Sequence, residues 1–203
     1  MNNMSAPLKR SDRVSLYISA AIAIAAIAAG AAATVVRISE VAPGHDIPVV
    51  VPLADEQAEL PLGPDGAAVT VDVETATVIV PEPAPATLFA LWAQPIVQLL
   101  VIAAAMVIAA AFMVRLARGR AFERGTARLA YAGAGVITGG WLVETILTNM
   151  TTNGALSAIS NYTYEAALFE VTLGPMIAVL VIAAVGVALQ IGERLQSETE
   201  GLV

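Results

Sequence analysis

Four stretches of this chain run uncharged, or nearly so, for long enough to cross a lipid bilayer. They are residues 14–36, 88–114, 129–147 and 171–191. Each meets the requirement of about 20 mainly apolar residues for roughly 30 Å of hydrocarbon. In that medium every backbone N–H and C=O must be satisfied within the segment, so each stretch is expected to be a helix. The second would be about 40 Å long at 1.5 Å per residue. It must therefore tilt or begin above the hydrocarbon, and Pro95 is placed to kink its outer end.

Between the first two stretches the pattern changes to that of strands. Residues 47–51 form a short β-rich run, and Gly63-Pro64-Asp65-Gly66 is a turn signal because Pro presets φ and Gly accepts positive φ. After the turn, Val69, Val71 and Val73 alternate with Thr70, Asp72 and Glu74, the period-two pattern of a half-buried strand. The apolar parity then slips to Ala76, Val78 and Val80. A one-residue slip turns side chains to the other face, so a bulge or tight turn is expected near Thr75. Pro81, Pro83 and Pro85 end the strand. A hairpin of this size is marginal alone and is expected to lean on the helices or on a copy of itself.

The predicted fold is a mainly α membrane protein, a four-transmembrane-helix bundle with a small β-rich extracytoplasmic insert between helices 1 and 2. The insert is residues 37–87, and residues 148–170, polar and rich in Asn and Tyr, are expected as a second outer loop. Orientation follows from Lys and Arg. Lys9, Arg10 and Arg13 precede the first stretch, Arg115, Arg118, Arg120, Arg124 and Arg128 fill residues 115–128, and Arg194 follows the fourth. Arg37 alone falls on the other side. Positive charge is retained in the cytoplasm, so residues 1–13 and the tail at 192–203 are expected inside, in a multi-pass membrane protein. A cleavable signal peptide is the competing reading of the first stretch, given its basic start and small residues at 29–33. The run is longer than the usual apolar region of such peptides, which favours an uncleaved helix.

Composition narrows the functions. Charged residues make up only 13% of the chain, about half the share usual in soluble domains. Net charge is −7, which argues against nucleic acid as a partner. There is no Cys and one His, which excludes disulfides, thiolate metal sites and a Cys nucleophile. His45-Asp46 lacks further metal ligands at usable spacing, and the acidic insert lacks a Ca²⁺-loop pattern. No catalytic or phosphate-binding fingerprint occurs. The chain is expected to be neither an enzyme nor a cofactor or metal binder.

Three constellations remain. Glu144 lies inside the third stretch, and Gln94 and Gln98 share a face of the second. An intramembrane carboxyl is a functional-site hypothesis by default, here a polar cluster for ion or proton binding, with helix adhesion as the alternative. Gly135 and Gly139 form a G-x-x-x-G, which serves either an internal helix contact or a homodimer seam. The loop carrying Arg115, Arg118, Arg120, Phe122, Arg124 and Arg128 is a topology determinant that attracts anionic lipid, and a docking site for a cytoplasmic regulator is its other reading.

Two cytoplasmic stretches carry a family resemblance. Gly119-Arg120-Ala121-Phe122-Glu123-Arg124, continuing to Arg128-Leu129, resembles a G-x-P-F … R-L-x-x-x-G loop, with Ala121 in place of Pro. Gly192-Glu193-Arg194-Leu195-Gln196, ending Glu200-Gly201-Leu202-Val203, resembles a closing G-x-x-L-Q … E/D-x-L-V. Both are similar to the bacterial four-span membrane family called domain of unknown function 2975. The resemblance implies four spans with an insert after the first, and a gene neighbourhood that often includes a small helix-turn-helix regulator. It supplies no catalytic residues. The function expected is regulatory or sensory, with the bilayer, a cytoplasmic regulator and a second copy as partners. A small transporter or channel subunit using Glu144, and a structural accessory subunit, are the alternatives.

Overall fold

The computed structural model describes residues 9–123, 125–163 and 171–200. The element order is helix α1 (Arg10–Val41), strand β1 (Ile47–Leu60), strand β2 (Val69–Val80), and helices α2 (Pro85–Ala117), α3 (Thr126–Ser160) and α4 (Gly174–Glu200). Among the described residues all four helices are long and apolar enough to cross a membrane. The strands pair as one antiparallel hairpin inserted between α1 and α2. Of the sequence expectations, Arg124, residues 164–170 of the second outer loop and the closing Gly201-Leu202-Val203 lie outside the described residues.

The chain divides into two compact units that share α1, α2 and α3. The hairpin unit comprises residues 35–95 and 144–171, and the loop-and-tail unit residues 1–34, 96–143 and 172–203.

In the hairpin unit, β1 and β2 pair from Ile47↔Val80 to Leu60↔Val69, with a register shift between Pro52 and Glu56. The shift lies opposite Glu74 and Thr75, where the apolar parity of β2 slips. Pro52 pairs with Thr75 and Glu56 with Val73, so β1 carries the extra residues of the bulge. Glu74 and Thr75 are both outward-facing, and the inward face passes from Val71 and Val73 to Ala76, Val78 and Val80. The turn between strands places Asp65 and Gly66 at φ of 57° and 79°, positions that suit Asp and Gly.

The inward face buries Ile47, Val49, Val51 and Val80 against Val41, Leu91, Ala155 and Leu156. Each such side chain removed from water contributes about 1.5–3 kcal/mol, which supplies what a lone hairpin lacks. At its base, the Asp46 N–H donates to the Pro81 carbonyl at 3.1 Å. Arg37 Nη1 donates to Pro48 O at 2.9 Å and to Glu40 Oε2 at 2.8 Å. Arg37 therefore ties the end of α1 to β1.

Helix α3 continues through residues 148–160, a stretch whose polarity had suggested a loop. The reason lies in its short polar side chains, which bond back to their own helix. Asn149 Nδ2 donates to Thr145 O, Thr151 Oγ1 to Thr148 O and Asn153 Nδ2 to Asn149 O. Thr151, Thr152, Ala155 and Leu156 are buried, so this turn-rich composition forms one wall of the hairpin core. The helix stops with Tyr162 N–H donating to Ser157 O at 3.0 Å, the six-to-one bond of a Schellman ending. Asn161 stands at φ 55°, as that motif requires, but Tyr162 follows at φ 64°, a conformation costly for a bulky residue.

The loop-and-tail unit is built on small residues. Ala20 and Ala23 of α1 are buried with Ala110 of α2, flanked by Met106, Met113 and Val114. Gly30 faces Leu99 and Ile102, and Gly133 faces Ile108. A methyl group at Gly140 would overlap the Val101 side chain. Ile18, Ile22, Leu100, Val107, Leu180 and Val181 point outward, as expected of helices with an apolar solvent.

Candidate functional site

The two stretches that resemble family motifs meet at one place in the loop-and-tail unit. Between α2 and α3 the chain turns at Gly119, φ 75°, and Gly125, φ 100°, each a conformation that glycine takes without penalty. Thr126 is fully buried and its hydroxyl donates to Arg120 O at 2.9 Å, which fixes the loop onto the start of α3. The Phe122 ring lies against Gly192 of α4 so closely that a Cβ there would overlap it. One residue on, Glu193 Oε1 accepts from the Ala127 N–H at 3.5 Å. A carboxylate at the first turn of α3 interacts favourably with the helix dipole and satisfies a donor that has no intrahelical partner.

A second row of contacts lies deeper. The Tyr131 ring packs on Gly186, and its hydroxyl donates to Gln190 Oε1 at 3.1 Å. Arg115 extends its guanidinium towards Gly125. The ion pairs here are local: Arg120–Glu123 at 3.5 Å and Arg194–Glu198 at 2.8 Å. Both are exposed and contribute little to stability. Arg118 and Arg128 are exposed and carry no ion pair among the described residues. Phe122 remains 49% exposed despite its seat, and Leu195 is 59% exposed. Exposed arginines and apolar side chains thus occur on both loop and tail, which meet at Phe122 and Glu193.

The other sequence-predicted residues are placed as follows. Gln94 and Glu144 belong to the hairpin unit and Gln98 to the loop-and-tail unit. Gln94 Nε2 donates to Thr148 Oγ1 at 3.0 Å, and Gln98 is exposed. Glu144 is half-buried and has no hydrogen bond or ion pair among the described residues. A Cβ at Gly135 or Gly139 would meet nothing within 4 Å, so neither is at an internal close contact. That role falls to Gly133 and Gly140 in one unit and to Gly154, packed on Thr87, in the other. Their spacing in multiples of seven puts them on one stripe of α3, a signal present in the sequence beside the G-x-x-x-G. Sequence reasoning also missed Trp141, whose Nε1 is buried with no partner among the described residues.

Four candidate membrane-spanning helices with a hairpin between the first two fit a multi-pass membrane protein. Comparison with protein-family models, curated proteins and solved structures finds no match to this chain.

Proposed function

We propose that the chain is a non-enzymatic regulatory or sensory protein of a bacterial plasma membrane, with both termini inside and the hairpin unit outside. The observation that supports this most is the joining of loop and tail through Phe122 on Gly192 and Glu193 on Ala127. Segments some seventy residues apart in sequence are thereby joined, and both carry exposed side chains, Arg118, Phe122 and Arg128 on the loop side and Leu195 on the tail. Such a mixed basic and apolar patch suits a cytoplasmic protein partner. The concentration of Arg on this side supports its cytoplasmic placement, and the similarity of both motifs to the four-span family of unknown function agrees with it.

The test is photo-crosslinking in intact cells from a probe at Leu195, with a second probe at Thr77 on the hairpin as control. The reading expects one cytoplasmic protein captured from Leu195 alone, with the yield cut at least fivefold by Phe122→Ala combined with Arg118→Ala. Capture of lipid only, under conditions validated on a known complex, would count against it.

A second reading, a small transporter or channel subunit, is favoured by one observation: the half-buried Glu144 carboxyl without a partner among the described residues. Ion flux into liposomes that disappears in Glu144→Gln would make this reading the better one.

A further inference from the structure

The hairpin unit contains a cleft of about 580 Å³ where the end of α3 meets the start of α2. That volume lies in the range of small-molecule sites. Its polar lining comes from Glu82, Thr87, Asn153, Ser157, Asn161 and Tyr162. Asn153, Ser157 and Asn161 recur at spacings of four along α3 and its cap, so they share one face. The floor is set by Gly154, whose missing side chain lets Thr87 press against the helix. On the rim, Asn161 and Tyr162 both hold left-handed backbone conformations, and the Tyr162 ring is 78% exposed.

The electrostatics select the ligand. Among the described residues no Lys or Arg lines the cleft, and Glu82 is the one carboxylic acid there. The only cation in the unit's two sequence segments is Arg37, and it is engaged by Glu40 and the Pro48 carbonyl. Beyond that pairing with Glu40, no Lys or Arg in these segments offsets the unit's carboxylates for an incoming anion, whereas a cation is drawn in. The lining groups are complementary to a donor: a carboxylate, carboxamide and hydroxyl oxygens, and an aromatic face that attracts cations.

We propose that this cleft binds a small organic ammonium ion, with Glu82 as counter-charge and the Tyr162 ring covering it. The inference deepens the sensory reading by naming the class of molecule sensed, and rests on that reading for its purpose alone. The test uses the full chain in nanodiscs and titration calorimetry with putrescine and choline as probes, and glucose and acetate as neutral and anionic comparators. The expected result is saturable binding of an ammonium probe, weakened at least tenfold in Glu82→Gln, retained in Glu82→Asp and weakened several-fold in Tyr162→Ala. Hydrogen exchange over α2 and α3 checks that each variant is folded. Absence of saturable binding by either ammonium at millimolar concentration, equal affinity for glucose, or Glu82→Gln binding as tightly as wild type would overturn it. No cytoplasmic partner takes part, so failure of the crosslinking experiment leaves this result standing, and the reverse.

Discussion

The two units of this chain are packed on opposite principles. The hairpin unit buries a set of large side chains almost completely: Ile47, Val51, Val80 and Leu91 are at most 1% exposed. The loop-and-tail unit turns its large side chains outward and brings helices together on Ala20, Ala23, Ala110, Gly133 and Gly140. The first arrangement gains from removing apolar surface from water. The second gains nothing that way if its surroundings are lipid, and depends on close backbone approach instead. One chain thus holds two kinds of packing, one that buries large side chains and one that brings small residues together.

The sharpest way to break this contrast is a charge in the water-type core. Val51→Asp should destroy the hairpin unit, because an unpaired buried carboxylate costs several kcal/mol. Limited proteolysis should then cut within residues 56–75 while α4 stays protected. Protection of both would mean that the inward face is not a core.

Next come the glycines at close contacts, one in each unit. Gly140→Val and Gly154→Val each force a side chain into an occupied site, Val101 in one case and Thr87 in the other. Overpacking of this kind costs about 1–3 kcal/mol, read as a lowered thermal midpoint in detergent. The contrast predicts that hydrogen exchange rises near Val101 for the first and near Thr87 for the second. A smaller effect is expected from Gly192→Val, since the opposing Phe122 ring can swing away. The cost should be under about 1 kcal/mol, because little apolar area is lost. A fluorophore placed at Glu123 should nonetheless report a mobile loop, and Phe122→Ala should leave the Gly192→Val substitution without further effect.

The smallest effect separates internal from external use of small residues. Gly135→Ala meets open space and removes a helix-weakening residue, so stability should be unchanged or rise by up to about 1 kcal/mol. If the same substitution lowers energy transfer between labelled copies in liposomes, the face is a homodimer seam. If it does not, the face meets lipid.

The helices were legible because a long apolar run has few other structural outcomes. The parity slip from Val73 to Ala76 located the bulge for a similar reason, since strand alternation permits no silent shift. Other features depended on information the local pattern lacks. Residues 148–160 read as a loop by polarity, and only the back-bonding of Asn149, Thr151 and Asn153 and the burial of Leu156 explain the helix. The G-x-x-x-G at Gly135 drew notice as a motif, but helix contact is decided by which face meets a neighbour, and Gly140 faces Val101. The meeting of Phe122 with Gly192 joins segments far apart in sequence, and the cleft joins the starts and ends of different helices. Neither has a periodicity to announce it.

The seating of the strands on Leu91 and Leu156 has a consequence for how the molecule is made. Ribosomes deliver the strands first, their α2 cover next and their α3 cover last. At roughly 5–20 residues per second, the apolar side of the hairpin waits on the order of several seconds for its final wall. During that interval β2 offers an edge free of proline, whereas β1 carries Pro48 and Pro52, which obstruct strand pairing. Nascent chains are therefore most exposed to mispairing along β2, and a holding chaperone or rapid insertion of α3 is what their biogenesis would require.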